Sequence, residues 1–465
     1  MESAEQQKAR DGPQKRSPLD LIMNQIRRKT SFTERKKPTM GRLFRPSVSS
    51  DKNSDIPETK ESESSEGKDS AGPGTESSDA DSEIGSVVGW GRVKQFVQKL
   101  GKTPDTQSLS LTHCDLTATD VVELGTLLPF LAQLEVMDLS WNDLLGGSLK
   151  ALTVHLQHVS KLKVLKVSSC RLTAHDLIAL GEGLYCIPLL EMLDLSWNAG
   201  VGGGNLHCLA NHLPSASSLR ELHLVDCQLS EADAVTLGEA LPLLPCLELL
   251  DLSGNKPMKE GLQIVVSALS YTPQLKTLKL STCGLNKMSL IMLGEKLKLL
   301  PGLEHLDLSC NKESGGGFST MTASLTLLTH LKCLDMHLCC LTEEDILALE
   351  SACKRGALSQ LKLLDLSYNG SVGDCGWVSF YSGAAGLKEL QELDVSLRPS
   401  ASLSASPWLP ALLDALPQLP SIRRLALQRW AFSSGEREKL DKALSKRNVV
   451  LECDKVAATE AKVAA

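Results

Sequence analysis

The stretch LEMLDLSWN at residues 190–198 recurs almost unchanged as LEVMDLSWN at residues 134–142. Alignment of the chain on this phrase gives the pattern LxxLxLxx followed by Cys or Asn. Successive copies are 28, 28, 28, 29, 28, 28, 28, 28 and 30 residues apart. The last position alternates between the two residue types: Cys114, Asn142, Cys170, Asn198, Cys227, Asn255, Cys283, Asn311, Cys339 and Asn369. Ten copies at a nearly fixed period predict a leucine-rich repeat solenoid.

Each repeat is expected to contain a strand, a turn and a helix. Leu193 and Leu195 alternate about Asp194 as in a strand, and residues 172–190 then place apolar side chains at helical spacing. Strands of adjacent repeats lie about 4.8 Å apart, whereas helices are about 10–12 Å across, so the strands must line the inside of an arc. The predicted fold class is therefore α/β, a horseshoe with a parallel sheet on its concave face and helices on its convex face.

The alternating Cys and Asn residues are predicted to be structural. An Asn amide can donate to and accept from backbone groups that water cannot reach, and each such group left unpaired costs about 1–3 kcal/mol. Cys is smaller and is expected to fill the same position by packing, which makes its thiol inert. The chain contains 14 cysteines and starts without a secretory signal pattern, so reduced thiols are expected.

The alternation of 28- and 29-residue units that end in Cys and then Asn, each with a full helix, resembles the ribonuclease-inhibitor class of leucine-rich repeats. The resemblance covers roughly residues 102–396. Stretches such as LDLSCNKESGGGF (306–318) and LKLLDLSYNGSVGDCGW (361–377) resemble the sequence of one vertebrate leucine-rich repeat protein. The resemblance implies a protein-binding platform and brings with it no residue of a known active site.

Composition divides the rest of the chain. Residues 1–50 hold 12 Lys and Arg against 5 acidic residues, and residues 51–89 hold 3 Lys against 11. Such charge-segregated, Ser-rich sequence predicts a disordered tail over residues 1–88. A cap helix is predicted over 89–101, about ten repeats over 102–396, an irregular C-terminal cap over 397–455 and a short tail over 456–465. Pro399, which stands where the next helix should begin, motivates the boundary at 397.

Residues beside the buried leucines are expected to face the concave wall. This candidate binding surface consists of Asp138, Trp141, Lys166, Asp194, Trp197, His223, Asp251, Lys279, Asp307, Asp335, His337, Asp365 and Tyr368. Its Asp residues, and the Ser residues of the recurring letters LDLS, fit either the sequence that such repeats usually have or a strip selected for binding. Trp141 and Trp197 depart further from that wording and favour an interface, because Trp is enriched among interface anchors. The alternative is that both rings pack against their own turns.

No catalytic residue, metal site, cofactor or small-molecule substrate is predicted. Asp138, Asp194 and Asp251 lie on alternate strands about 10 Å apart, whereas two-metal sites need ions about 3.5–4 Å apart. His223 and His337 lack neighbouring ligands at metal-binding spacing. The glycine-rich turns VGGGN and SGGGF lack the lysine of a phosphate-binding loop.

The predicted function is a non-enzymatic protein–protein interaction scaffold with an unidentified protein partner. Thr30 and Ser31, which follow a basic run, and Ser78, which lies among acids, are candidate phosphorylation sites through which the leader could be regulated. Two alternatives stay open. The Asp row fits an inhibitor of a basic enzyme of ribonuclease type, and the basic N-terminal segment fits tethering to nucleic acid or an anionic membrane. A cytoplasmic location is expected, with the nucleus as the alternative.

Overall fold

The computed structural model describes residues 91–99, 101, 105–212, 218–445 and 447–454. Trp90 and several predictions lie outside the described residues: the tail over 1–88, the phosphorylation sites Thr30, Ser31 and Ser78, and the terminal segment 456–465. The chain divides into the units Met1–Val88 and Gly89–Ala465. The following description concerns the second unit by itself.

Short parallel strands form one 13-stranded sheet that follows the order of the chain. Its strands are β1 (Ser108–Ser110), β2 (Val136–Asp138), β3 (Val164–Lys166), β4 (Met192–Asp194), β5 (Glu221–His223), β6 (Leu249–Asp251), β7 (Thr277–Lys279), β8 (His305–Asp307), β9 (Cys333–Asp335), β10 (Leu363–Asp365), β11 (Glu392–Asp394), β13 (Arg424–Ala426) and β15 (Val450–Glu452). A separate parallel pair joins β12 (Leu403–Ser404) to β14 (Trp430–Ala431). Every strand of the large sheet thus pairs with the strand of the next repeat.

One helix follows almost every strand and covers the back of the sheet. The helices are α1 (Arg92–Lys99), α2 (Ala118–Leu127), α3 (Lys150–Thr153), α4 (Ala174–Leu184), α5 (His207–Ala210), α6 (Glu231–Ala240), α7 (Leu262–Ala268), α8 (Lys287–Leu297), α9 (Phe318–Leu325), α10 (Glu343–Lys354), α11 (Gly373–Gly383), α12 (Leu409–Ala415) and α13 (Ser434–Leu444). Within the described part of the chain, none of these helices is long and apolar enough to cross a membrane.

The core is a continuous ladder of leucines. In register, Leu165 of β3 lies beside Leu193 of β4, which lies beside Leu222 of β5, and all three are at most 5% exposed. Burying one such side chain stabilises the fold by about 1.5–3 kcal/mol relative to leaving it exposed. A repeat cannot bury both sides of its own leucines, so stacking on its neighbours supplies the cover. The predicted leucine-rich repeat solenoid, with a parallel sheet and a layer of helices, is confirmed.

The two ends of the ladder are built differently. At the N-terminal end, Val93 and Val97 of α1 are buried, and Arg92 forms an ion pair with Asp120 at 2.6 Å. At the C-terminal end, the structure differs from the predicted irregular cap over 397–455, because β13 and β15 continue the same sheet. Buried aromatic side chains that include Trp408 fill the space behind these last strands. Pro399 therefore interrupts one helix without ending the solenoid.

Candidate functional site

The Asn that ends every second repeat joins the backbone of its own repeat to that of the preceding repeat. The side-chain oxygen of Asn198 accepts hydrogen bonds from the backbone N–H groups of Cys170 at 2.9 Å and Leu172 at 3.1 Å. Its amide nitrogen donates to the carbonyl oxygens of Val167 at 2.9 Å and Leu195 at 2.8 Å. The same four-bond pattern recurs at Asn142, Asn255, Asn311 and Asn369. These residues hold the turn that leaves each strand.

The Cys of the intervening repeats occupies the same position and forms fewer hydrogen bonds than the Asn. The thiol of Cys170 donates to the carbonyl oxygen of Leu139 at 3.2 Å, and Cys227, Cys283 and Cys339 make the equivalent contact with the preceding repeat. Burial raises the pKa of Cys170 to about 11, so this thiol stays protonated at neutral pH. The prediction of packing alone is therefore incomplete, because the thiol also pairs a backbone carbonyl. Cys114, in the first repeat, is only partly buried and contacts Thr112.

On the concave wall, the predicted row of charges runs straight across the sheet. The strand register places Asp138, Lys166, Asp194, His223, Asp251, Lys279, Asp307, Asp335 and Asp365 side by side in that order. Over the first six strands of this row, basic residues or His separate the aspartates, and Lys279 lies 3.4 Å from Asp251. The first part of the wall is thus close to neutral.

The second part of the row is an unbroken run of aspartates on four adjacent strands. Asp394 on β11 extends the run that Asp307, Asp335 and Asp365 begin. On β13 the next position in register is Ala426, and Arg424, two residues earlier, lies 3.3 Å from Asp394. Sequence reasoning missed Asp394 because its strand does not lead to a Cys or Asn. The letters LDVS at 393–396, which match LDLS, were the available signal.

Burial changes the protonation of this run, and neighbouring like charges add to the effect. Burial is the main reason that the pKa of Asp335 is raised to about 7; the neighbouring Asp307 and Asp365 contribute to this rise, and a hydrogen bond donated by the backbone of His337 opposes it. Burial also raises the pKa of Asp365. The ring Nδ1 of His337 lies 2.6 Å from the hydroxyl of Ser367. His337 is thus part of a hydrogen-bonded cluster with Ser367 and Asp365.

The edge of the wall carries exposed aromatic rings on a strained backbone. Trp141, Trp197 and Tyr368 have φ values of 64°, 62° and 62°, in the left-handed region that non-glycine residues seldom adopt. Trp141 and Trp197 are 48% and 53% exposed. Trp141 stacks on His113 of the preceding repeat with ring centroids 5.3 Å apart, so its contact is with a neighbouring repeat.

The remaining predicted positions do not converge on a reactive centre. His223 lies 3.3 Å from Glu221 on its own strand, and Lys166 stands between Asp138 and Asp194 without an ion pair to either within 4.0 Å. Across the described ranges, no group of three His, Cys, Asp or Glu residues is placed to hold a metal ion.

A second set of aspartates joins repeats on the far side of each turn. Asp176 caps α4 with Thr173, and its carboxylate also accepts from the backbone N–H groups of Gly147 at 2.6 Å and Leu149 at 3.0 Å in the preceding repeat. Asp233 and Asp345 repeat this arrangement. Sequence reasoning missed these residues, although the recurring Thr/Ser-x-x-Asp pattern marks a helix start.

Stacked 28- to 30-residue units with one continuous leucine core and Asn- and Cys-terminated turns define this chain as a leucine-rich repeat solenoid. It is 29% identical over 343 residues to the bovine (Bos taurus) NLR family CARD domain-containing protein 4, a match that covers 72% of this chain and 30% of that protein. It is 28% identical over 273 residues to the ribonuclease inhibitor of Sus scrofa, which covers 58% of this chain and 59% of the inhibitor. The ribonuclease inhibitor of Mus musculus is 29% identical over 223 residues, covering 47% of this chain and 49% of the inhibitor.

These relatives confirm the resemblance to ribonuclease-inhibitor-like repeats. The chain spans less than two thirds of each relative, and no family model matches it. A crystal structure of a TLR13–ssRNA13 complex overlaps with a TM-score of 0.39 at 21% identity, covering 70% of this chain and 43% of that one, a score too low to support a conclusion. The closer similarity to one vertebrate protein stays a prediction.

Proposed function

We propose that the solenoid is a non-enzymatic platform for a protein partner, which binds along the concave wall and its aromatic edge. The observation that carries this proposal is the pair Trp141 and Trp197, two large rings held half exposed on alternate repeats. The apolar surface of an exposed Trp ring is removed from water only when a partner covers it. Trp also dominates the energetics of many interfaces.

Backbone strain supports the same proposal. A left-handed residue other than glycine costs about 1–2 kcal/mol, so an exposed Trp at this position is a poor choice for stability alone. The equivalent position in another repeat is Gly254, with a φ of 82°, which shows that the fold accepts glycine there. The left-handed φ recurs at this position in all ten repeats, from His113 to Tyr368, so the turn itself requires it, and the feature that favours binding is the choice of an exposed Trp at two of these positions.

Proximity labelling of the full chain in cells tests the proposal. The test variant carries Trp141→Ala and Trp197→Ala. A matched control carries Phe130→Ala and Tyr271→Ala, which remove two rings that are also exposed, at 68% and 57%, after helices on the other side of the repeats. We expect the Trp variant to lose labelled proteins that the control keeps. An unchanged set of labelled proteins in the Trp variant rules out the concave edge as the site.

A second candidate function is inhibition of a basic enzyme of ribonuclease type. The unbroken run Asp307, Asp335, Asp365 and Asp394 favours it, since such a surface attracts cationic proteins. Two relatives are themselves named ribonuclease inhibitors. Binding to pancreatic-type ribonuclease, measured at low and high salt, tests this function. It requires a dissociation constant that rises steeply with salt and a large loss on combining Asp335→Asn with Asp365→Asn.

A further part of the proposal concerns regulation through the N-terminal segment, residues 1–88. We propose that phosphorylation of Thr30 or Ser31 lowers the positive charge of residues 1–50 and weakens any attachment of that segment to nucleic acid or anionic lipid. Ser78 is proposed as a further phosphorylation site within the acidic segment. The proposed location is the cytoplasm, with the nucleus as the alternative. Vesicles containing phosphatidylserine test attachment, and Thr30→Glu with Ser31→Glu should reduce it.

A further inference from the structure

In the described part of the sheet, the last strand is paired along one edge only. β15 pairs with β13 through Val450 and Glu452: the N–H of Val450 donates to Arg423 at 2.7 Å, and the carbonyl of Glu452 accepts from Leu427 at 2.7 Å. Successive residues of a strand point their backbone groups to opposite sides. The N–H and C=O of Leu451, the C=O of Val449 and the N–H of Cys453 therefore face away from β13. Among the described residues, no strand pairs with this edge.

The leucine ladder is also less well covered at this end. The central leucines of the interior strands are almost completely buried, whereas Leu451, which stands at the same position in β15, is partly exposed. Val449 and Cys453 on either side are partly exposed as well. An open edge beside incompletely covered apolar side chains is a typical site for pairing with another strand.

Charges of opposite sign mark the two ends of this strand. Arg423, Arg447 and Glu389 line a cleft at its start, and Arg447 donates to the carbonyl of Leu419. At its end, Glu452 pairs with Arg424 at 2.7 Å, and the half-exposed Asp454 lies 3.6 Å from Arg429. In an antiparallel pair, the start of each strand lies against the end of the other. Two copies of this edge would therefore bring Arg423 of each chain toward the half-exposed Asp454 of the other.

We propose that β15 is a self-association edge, which pairs antiparallel with β15 of a second copy about a two-fold axis through Leu451. The outward groups match in number: each Leu451 donates to and accepts from the other, and each Cys453 N–H donates to the opposite Val449 carbonyl. Such a contact is self-complementary, as a two-fold interface must be. In this register Asn448 faces Asp454 of the other copy. Because the paired segment is short, the buried area is small and the dimer forms in the micromolar range.

Sedimentation equilibrium of the full chain at about 1–100 µM tests this inference. Leu451→Pro removes the outward N–H while keeping the bonds to β13, since proline is tolerated on an edge strand whose N–H faces outward. Leu451→Ala is the matched control, which shortens the side chain and keeps the N–H. We expect dimers in the wild type and a dissociation constant at least about tenfold higher for Leu451→Pro than for Leu451→Ala. A monomer throughout the range, or a dimer unaffected by proline, overturns the proposal.

Two substitutions at Asn448 should change the stability of the dimer in opposite directions. Asn448→Asp places a second carboxylate opposite Asp454 and should weaken the dimer, whereas Asn448→Lys should strengthen it. A change in the same direction for both variants contradicts the register. Residues 455–465 of the same chain are the competing occupant of the edge. If the full chain is a monomer and truncation after Asp454 makes it dimeric, the tail covers this edge and self-association is not its role.

Discussion

The side-chain oxygen of Asn198 lies 2.9 Å from the backbone nitrogen of Cys170, exactly one repeat earlier in the stack. The same Cys170 donates its thiol to Leu139 of the repeat before. Asn and Cys repeats therefore differ in what they contribute: Asn198 serves two N–H groups and three carbonyls, whereas the Cys170 thiol serves two carbonyls. The alternation of the two residue types gives each pair of repeats one strong polar connection.

Loss of one Asn should cost far more than loss of one Cys. Asn198→Ala leaves two buried N–H groups and three buried carbonyls without this partner, so we expect the free energy of unfolding to fall by at least about 3 kcal/mol. Cys170→Ala removes two weak thiol hydrogen bonds and a small volume, and about 1–2 kcal/mol is expected. Denaturant titration of both variants measures the difference. Equal losses would mean that the Asn contacts contribute little.

The repeat, the strand positions and the buried Cys and Asn residues could be predicted from sequence because each depends on local spacing. The shared bonds of Asp176 could not, since a helix-cap residue gives no local sign that it also reaches Gly147 in the preceding repeat. The left-handed backbone at Trp197 was equally hidden, because Trp does not favour that conformation. The unbroken aspartate run depended on Asp394, whose strand lacks the usual ending.

Asp176 bonds both to its own helix and to the preceding repeat, so its two contributions to stability can be measured separately. Asp176→Ala removes a helix cap and two bonds to the preceding repeat, and we expect a loss of about 2–4 kcal/mol. Thr173→Ala weakens only the cap of α4 and should cost about 1 kcal/mol. Hydrogen exchange distinguishes the two roles. The amides of Gly147 and Leu149 should lose protection in Asp176→Ala and keep it in Thr173→Ala; loss in both variants contradicts this division.

The raised pKa of Asp335 predicts that stability decreases as pH rises. The pKa of this carboxyl is about 7 in the folded chain and about 4 when unfolded, so the folded state binds a proton that the unfolded state releases in between. The contribution of Asp335 is therefore fully present below pH 4 and is lost as pH rises through 7.

Asp335→Asn keeps the shape of the side chain and removes its charge. We expect thermal unfolding of this variant to match the wild type below pH 4 and to occur at higher temperature near pH 8, because the variant avoids burying a negative charge between Asp307 and Asp365. Asp138→Asn, in the part of the row that contains Lys166, is the control and should show no such pH-dependent gain. Parallel pH profiles for Asp335→Asn and the wild type would contradict the assignment.

The left-handed turn at Trp197 predicts a variant that is more stable and binds less well. Glycine adopts a φ of 62° without steric cost, so Trp197→Gly should be more stable than Trp197→Ala by about 1 kcal/mol. The reverse change at the equivalent turn, Gly254→Ala, should destabilise the chain, since its new Cβ would lie 3.2 Å from the Cα of Asp226. Denaturant unfolding measures all three variants, and proximity labelling measures partner loss in both Trp197 variants. A Trp197→Gly variant that is less stable than the wild type would show that the ring is retained for packing, whereas higher stability than the wild type with lost partners places the cost of this turn on binding.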